Sequence, residues 1–72
     1  MSAAPRHGVR EADILHAITN AIDGRRLEDE FFFMGPDRAG NLLELVGRQA
    51  GGELVVFHAM PLREPFRKKY FS

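Results

Sequence analysis

The sequence predicts an α+β fold in which an N-terminal helix packs on a three-stranded antiparallel β-meander, followed by a short basic C-terminal tail or helix. Three observations predict it. Apolar residues recur every three or four positions over residues 11–22, three apolar strand-like segments follow within residues 30–60, and only short turns separate those segments. A chain of 72 residues makes one small domain, residues 1–72, in which residues 1–7 form a loose lead-in.

The helix is predicted over residues 11–22. Its apolar face comprises Ile14, Leu15, Ile18 and Ile22. Glu11 and Asp13 lie in the first turn, where the helix dipole favours anions, and Gly24 is a natural stop. His16 lies on the opposite face, so we expect it at the surface.

The strands are predicted at residues 30–34, 41–48 and 53–60. Residues 25–29 form a charged connection before the first strand, and the turns at residues 35–40 and 49–52 contain glycine. Pro61 ends the third strand because proline cannot donate to a β-ladder. Residues after Pro65 form a short helix with this proline in its first turn.

Both faces of the predicted sheet are apolar. With Leu43 paired to His58 and Leu45 to Val56, one face carries Phe32, Met34, Leu43, Leu45, Leu54, Val56 and His58, and the other carries Phe31, Phe33, Leu42, Val46, Val55 and Phe57. One amphipathic helix covers only one face. The second face therefore meets the C-terminal tail, a second copy of the chain or another protein, and a one-residue slip in register would exchange the faces.

Composition excludes several classes of protein. The formal net charge is zero, which argues against binding nucleic acid by overall charge alone. Without cysteine there is no disulfide or thiolate metal site, and the three histidines lack metal-ligand spacing. The turn at residues 35–40 joins two strands and so lacks the context of a phosphate-binding loop. No segment approaches the roughly 20 apolar residues of a membrane span, and we expect a cytoplasmic protein with no membrane contact, metal or cofactor.

Candidate functional residues gather at the C-terminal end, where four of the ten Lys and Arg residues lie. His58 is a candidate because histidine, as a residue type, can move protons at a phosphate or a ribose hydroxyl. The cations Arg63, Arg67, Lys68 and Lys69 can bind phosphate, and Tyr70 can stack on a base. Two alternatives stay open, a histidine that only completes a sheet edge and a solvated charged terminus.

Glu44 is the other polar residue of interest, because it lies in the middle of an apolar strand. A carboxylate on a strand can be held rigidly for chemistry. The alternative is a surface or interface contact.

Three stretches carry a resemblance by their order and spacing. "RHGVREADILHAI" contributes Arg6, His7, Gly8 and Val9, "MGPDRAGNLLELV" contributes Gly35, Gly40, Leu42 and Val46, and "FHAMPLREPFRKKYF" contributes Ala59, Arg67 and Tyr70. Together they resemble the BrnT-like toxins, which belong to the RelE-type group of small ribonuclease toxins. This chain differs from the family pattern at two positions. Met60 stands where the family has an arginine, and Phe66 stands where the family has a glutamate.

The resemblance implies the toxin of a type II toxin–antitoxin system. Such a toxin is a metal-independent endoribonuclease that inhibits translation by cleaving mRNA or ribosome-associated RNA, and a cognate antitoxin protein holds it inactive. In this interpretation the catalytic residues are His58, Arg67, Tyr70 and His7. The residues that bind RNA phosphates are Arg63, Lys68, Lys69 and Arg6.

A second hypothesis is a non-enzymatic interaction module that forms a homodimer or docks a partner protein through an apolar sheet face. The two hypotheses differ in one structural requirement. An enzyme needs His58 and the residues Arg67–Tyr70 to converge within a few ångströms, whereas a docking module lets the tail point anywhere.

Overall fold

The computed structural model describes residues 2–3 and 8–71, and within them the chain forms two helices and a five-stranded sheet. The elements are β1 (Ser2–Ala3), α1 (Glu11–Thr19), β2 (Asp23–Leu27), β3 (Glu30–Pro36), β4 (Leu42–Ala50), β5 (Glu53–Pro61) and α2 (Glu64–Phe71). The strand order is β1-β5-β4-β3-β2, in which β1 runs parallel to β5 and the other four strands are antiparallel. The α+β class is confirmed, but the antiparallel meander has four strands where the sequence predicted three.

The additional antiparallel strand is β2, in the segment expected to be a charged connection. Leu27 pairs with Glu30 across a two-residue turn, and Glu28 adopts a positive φ of 56° in that turn. All five β2 residues are exposed. Charged side chains are compatible with a strand at the edge of a sheet, because neither of its faces has to enter the core. The two-residue β1 was likewise expected to be part of a loose lead-in.

Helix α1 is shorter than predicted, ending at Thr19 rather than at residue 22. The Asn20 side chain donates back to the carbonyl of His16 at 2.9 Å. The chain then turns into the sheet, and the Ile22 amide donates to the carbonyl of Met34 at 2.7 Å. Ile14 is buried as expected and Ala17 is buried beside it, whereas Leu15 and Ile22 are exposed. His16 is half-buried rather than on the surface, and its Nδ1 lies 2.9 Å from the carbonyl oxygen of Pro36.

The β4–β5 register differs from the prediction because β5 contains a bulge. Leu43 pairs with Pro61, Leu45 with Ala59 and Val46 with His58, and the register then shifts between Val46 and Gly47, which pairs with Val56. Two residues of β5, Phe57 and His58, therefore oppose Val46 alone. The predicted pairing of Leu43 with His58 was wrong. Phe32 and Val46, assigned to opposite faces, are direct cross-strand partners on one face.

Each face of the sheet is covered by one helix. On the first face, α1 buries Ile14 and Ala17 against Leu43, Leu45, Val56 and Ala59. On the second face, Phe66 of α2 packs with Phe32 and Val46. Of the three occupants left open for the second apolar face, the C-terminal segment is the one that covers it. The prediction that residues after Pro65 form a helix is confirmed, with α2 starting at Glu64.

Helix α1 lies against β3 at Gly35. A Cβ atom built on Gly35 would lie 2.1 Å from the carbonyl oxygen of Ala17, far inside any van der Waals contact. Only glycine allows the helix backbone to approach the strand this closely.

Candidate functional site

Glu44 is the centre of the candidate site. It lies on β4 between Leu43 and Leu45, but its side chain faces the α2 side of the sheet and has no exposed surface. Four donor contacts reach its carboxylate. His58 Nε2 lies 2.8 Å from Oε2, and Arg63 donates its backbone N–H at 2.9 Å, Nε at 3.1 Å and a terminal guanidinium nitrogen at 2.7 Å. A charge buried this deeply is tolerated because it is paired and fully hydrogen-bonded.

The electrostatics favour an ionised Glu44. Burial raises the pKa of Glu44, but the hydrogen bonds from Arg63 and His58 outweigh this effect and hold the pKa below its ordinary value of 4.5. The carboxylate is therefore charged at neutral pH, and it accepts hydrogen bonds from both partners.

The bulge in β5 brings His58 to this carboxylate. Because Phe57 and His58 share the position opposite Val46, both side chains reach the α2 side of the sheet, where they line the same cleft. The imidazole lies roughly parallel to the ring of Phe66, with centroids 6.3 Å apart and an interplanar angle of 19°. About a quarter of the His58 side chain remains exposed to solvent. His58 is thus held on one side and reachable from the other.

Arg63 connects the carboxylate to α2. It follows the β5 end at Pro61, and the Leu62 amide donates to the Leu42 carbonyl at 3.0 Å. The Arg63 carbonyl then accepts the Arg67 amide at 3.1 Å, a backbone bond at the start of α2. The side chain remains 55% exposed although its guanidinium contacts the fully buried Glu44. Arg63 therefore fixes the position of α2 while it neutralises Glu44.

An open cleft of about 390 Å³ lies beside His58, between α2 and the sheet. Its lining is mainly aromatic and apolar and comprises Glu30, Phe32, Val46, Phe57, His58, Phe66 and Tyr70. Its volume is within the range of about 300–1,000 Å³ that is common for small-ligand sites. The cleft can therefore accept a planar group next to the imidazole.

The remaining predicted residues lie along α2. Tyr70 stacks on Phe32 with centroids 4.1 Å apart, and so it forms part of the cleft wall. Arg67 forms an ion pair with Glu64 of the same helix, and its Nε lies 3.0 Å from the carboxylate. Lys69 Nζ is 5.4 Å from the ring centroid of Tyr70, and Lys68 is exposed.

The structure thus brings together some of the residues singled out from the sequence. His58 and Arg63 converge on Glu44, and Tyr70 lines the same cleft as His58. Arg67, Lys68 and Lys69 lie on the adjacent helix α2. Arg6 and His7 lie outside the described residues.

Glu44 is the functional candidate that the sequence-based site omitted. Its only signal was a carboxylate in the middle of an apolar strand. The contacts that bury it come from Arg63, which lies 19 residues away, and from His58, 14 residues away.

Compared with known protein families, curated proteins and solved structures, the chain gives no significant match. Within residues 8–71, no group of three or more His, Cys, Asp or Glu side chains is arranged to hold a metal ion. Neither described helix is long and apolar enough to cross a membrane.

Proposed function

We propose that this protein is a metal-independent endoribonuclease in which His58 moves the protons and Glu44 positions it. The observation that carries the proposal is the 2.8 Å contact between His58 Nε2 and Glu44 Oε2 at the wall of the aromatic cleft. A buried carboxylate behind an imidazole fixes the tautomer and the orientation of the ring, as acid–base catalysis requires.

The ionised carboxylate determines which nitrogen of His58 acts. Because Glu44 only accepts hydrogen bonds, Nε2 carries the proton and Nδ1 of the neutral ring carries the lone pair. Nδ1 is then the atom that takes the proton from a ribose 2′-hydroxyl. The 2′-oxygen bonds to the adjacent phosphorus, and the bond from phosphorus to the 5′-oxygen breaks. The leaving oxygen takes up a proton from the imidazolium or from water, so the products are a 2′,3′-cyclic phosphate and a 5′-hydroxyl.

The cations would stabilise the negative charge that accumulates on the phosphate during this attack. Arg67, Lys68 and Lys69 follow Phe66 on α2, the helix that forms one wall of the cleft. Tyr70 would offer a stacking surface to a base. Arg6 and His7 keep the phosphate-binding and assisting roles that the resemblance implies.

The difference at Met60 is consistent with this assignment. Met60 pairs with Glu44 across the β4–β5 ladder, at the position where the BrnT-like pattern has an arginine. Arg63 brings a guanidinium to the same carboxylate. A guanidinium therefore contacts Glu44 although position 60 is a methionine.

On the basis of the resemblance, this nuclease serves as the toxin of a type II toxin–antitoxin system. Its partner would be a cognate antitoxin protein, its substrate mRNA or ribosome-associated RNA, and its place of action the cytoplasm. The expected consequence is inhibition of translation when the antitoxin is missing.

Induced expression in a bacterial host tests the proposal. We expect growth arrest and fragmented total RNA with the unmodified chain, and neither with His58→Gln. Glutamine can still donate a hydrogen bond to Glu44, so this variant should fold. His16→Gln is the matched control, because His16 packs on the α1 side of the molecule. Healthy growth with intact RNA, despite confirmed soluble protein, would overturn the proposal.

A second candidate function is a non-enzymatic interaction module that uses the edge strand β2 instead of the expected apolar sheet face, because α1 and α2 cover the two faces. The observation that favours it is β2, which ends the described sheet on one side, has five exposed residues and leaves Leu27 45% exposed. An edge strand can pair with a strand of another chain. Light scattering tests this function: a dimer that dissociates in a Leu27→Lys variant and leaves RNA intact would support it, and a monomer that cleaves RNA would contradict it.

A further inference from the structure

At one end of the cleft, the lining residue Glu30 forms an ion pair with Arg48, which is not itself a lining residue. A guanidinium nitrogen of Arg48 lies 3.2 Å from Glu30 Oε2. The Arg48 guanidinium is also 5.3 Å from the ring centroid of Phe57. Glu30 and Arg48 are cross-strand partners, two residues along β4 from Val46, the partner of His58. The pair is therefore about 7 Å along the strand from the position of His58, roughly the span of a single nucleoside.

We propose that this end of the cleft binds a guanine base of the RNA substrate, an inference that rests on the proposed ribonuclease function. The Glu30 carboxylate has two oxygens with about four lone-pair positions, and the contact with Arg48 uses only one. Guanine is the base whose Watson–Crick edge presents two adjacent donors, N1–H and N2–H. The neighbouring O6 of guanine is an acceptor, and the Arg48 guanidinium beside the carboxylate can donate a hydrogen bond to it.

The other three bases match this pair less well. Adenine and cytosine each present one amino donor next to an acceptor nitrogen, and uracil presents one N–H between two carbonyl oxygens. Each would set an acceptor against the Glu30 carboxylate, a repulsive contact that guanine does not make and that lowers the affinity for the other bases. The aromatic lining, which includes Phe57 and Tyr70, binds any base by stacking. The lining therefore supplies affinity, and Glu30 supplies the preference.

Titration of the full chain with the four nucleoside 3′-monophosphates, followed by calorimetry and by NMR, tests the inference without requiring cleavage. We expect 3′-GMP to bind about tenfold or more tightly than the other three, the size of one good bidentate contact. Its shifted resonances should include Val46, Phe57 and His58. Glu30→Gln should abolish the preference while the protein stays folded, because the ion pair of Glu30 with Arg48 is solvent-exposed.

The matched control is Glu11→Gln, which removes the same charge from the exposed first turn of α1 and should leave the preference for 3′-GMP unchanged. Equal affinity for all four nucleotides, or a preference that survives in Glu30→Gln, would overturn the inference. The two proposals fail separately. RNA cleavage without a guanine preference would contradict only the base site, whereas selective 3′-GMP binding without any cleavage would contradict only the nuclease.

Discussion

Replacing Glu44 with glutamine should destabilise the protein through the hydrogen bonds that the carboxylate accepts. Four donor contacts converge on it, and an amide oxygen with two lone pairs can accept two of them. A buried donor that loses its acceptor costs about 1–3 kcal/mol. The Arg63 side chain is half exposed, so its guanidinium can hydrogen-bond to water instead, and its two contacts add little to the loss of stability. The other two donors, His58 Nε2 and the Arg63 backbone N–H, contact different carboxylate oxygens, and the amide oxygen can replace only one of these. One buried donor therefore loses its acceptor, and the expected loss is about 1–3 kcal/mol.

Urea unfolding followed by circular dichroism measures this loss. A domain of 72 residues has a total unfolding free energy of about 4–11 kcal/mol, so the shift in midpoint should be large. Glu28→Gln, in an exposed turn, is the matched control and should stay within about 0.5 kcal/mol of the unmodified chain. A loss below about 1 kcal/mol in Glu44→Gln would refute the argument that these donors depend on a buried carboxylate.

Three further predictions concern pH and packing. The pKa of Glu44 in the folded protein lies below its ordinary value of 4.5, so its ionisation contributes stability that is fully present above pH 4.5 and is lost as the pH falls through the folded pKa. The stability difference between the unmodified chain and Glu44→Gln should therefore shrink in urea titrations below pH 4.5. Gly35→Ala should cost at least about 1–3 kcal/mol in urea unfolding, since its methyl group meets the Ala17 carbonyl of α1, whereas Gly24→Ala meets only ordinary contacts and should cost less than half as much. Phe66→Ala should cost about 3–5 kcal/mol and increase hydrogen exchange throughout α2, because Phe66 anchors this helix on the sheet; an unchanged exchange rate in α2 would contradict that role.

The sequence predicted most of the regular elements, because their signals are local. The period of the apolar residues indicated α1, although not its end. Pro65 and the change to charged residues after it indicated α2. The density of aromatic and aliphatic residues indicated β3, β4 and β5, whose observed bounds lie within two residues of the predicted ones.

The parts that were missed depend on contacts between distant segments. The charged residues of β2 form a strand because β3 offers them an edge, and nothing in their own composition indicates it. The bulge opposite Val46 shifts the β4–β5 register, and only the packed sheet reveals it. The prediction therefore assigned some residues to the wrong face of the sheet.

Only part of the candidate site was predicted, because the rest also depends on contacts between distant segments. His58 and Arg63 were recognised by residue type and by their position near the C-terminal end. The role of Glu44 requires a bulge to turn His58 toward it and a helix start to bring Arg63 over it. Neither event has a signal in the residues around position 44.

The measurement that tests the central claim most directly is cleavage of a defined RNA by the purified chain in the presence of a metal chelator. We expect fragments that end in a 2′,3′-cyclic phosphate, formed at the same rate with and without chelator, and lost in His58→Gln but not in His16→Gln. Intact RNA with folded, unmodified protein would contradict it, as would cleavage that survives in His58→Gln.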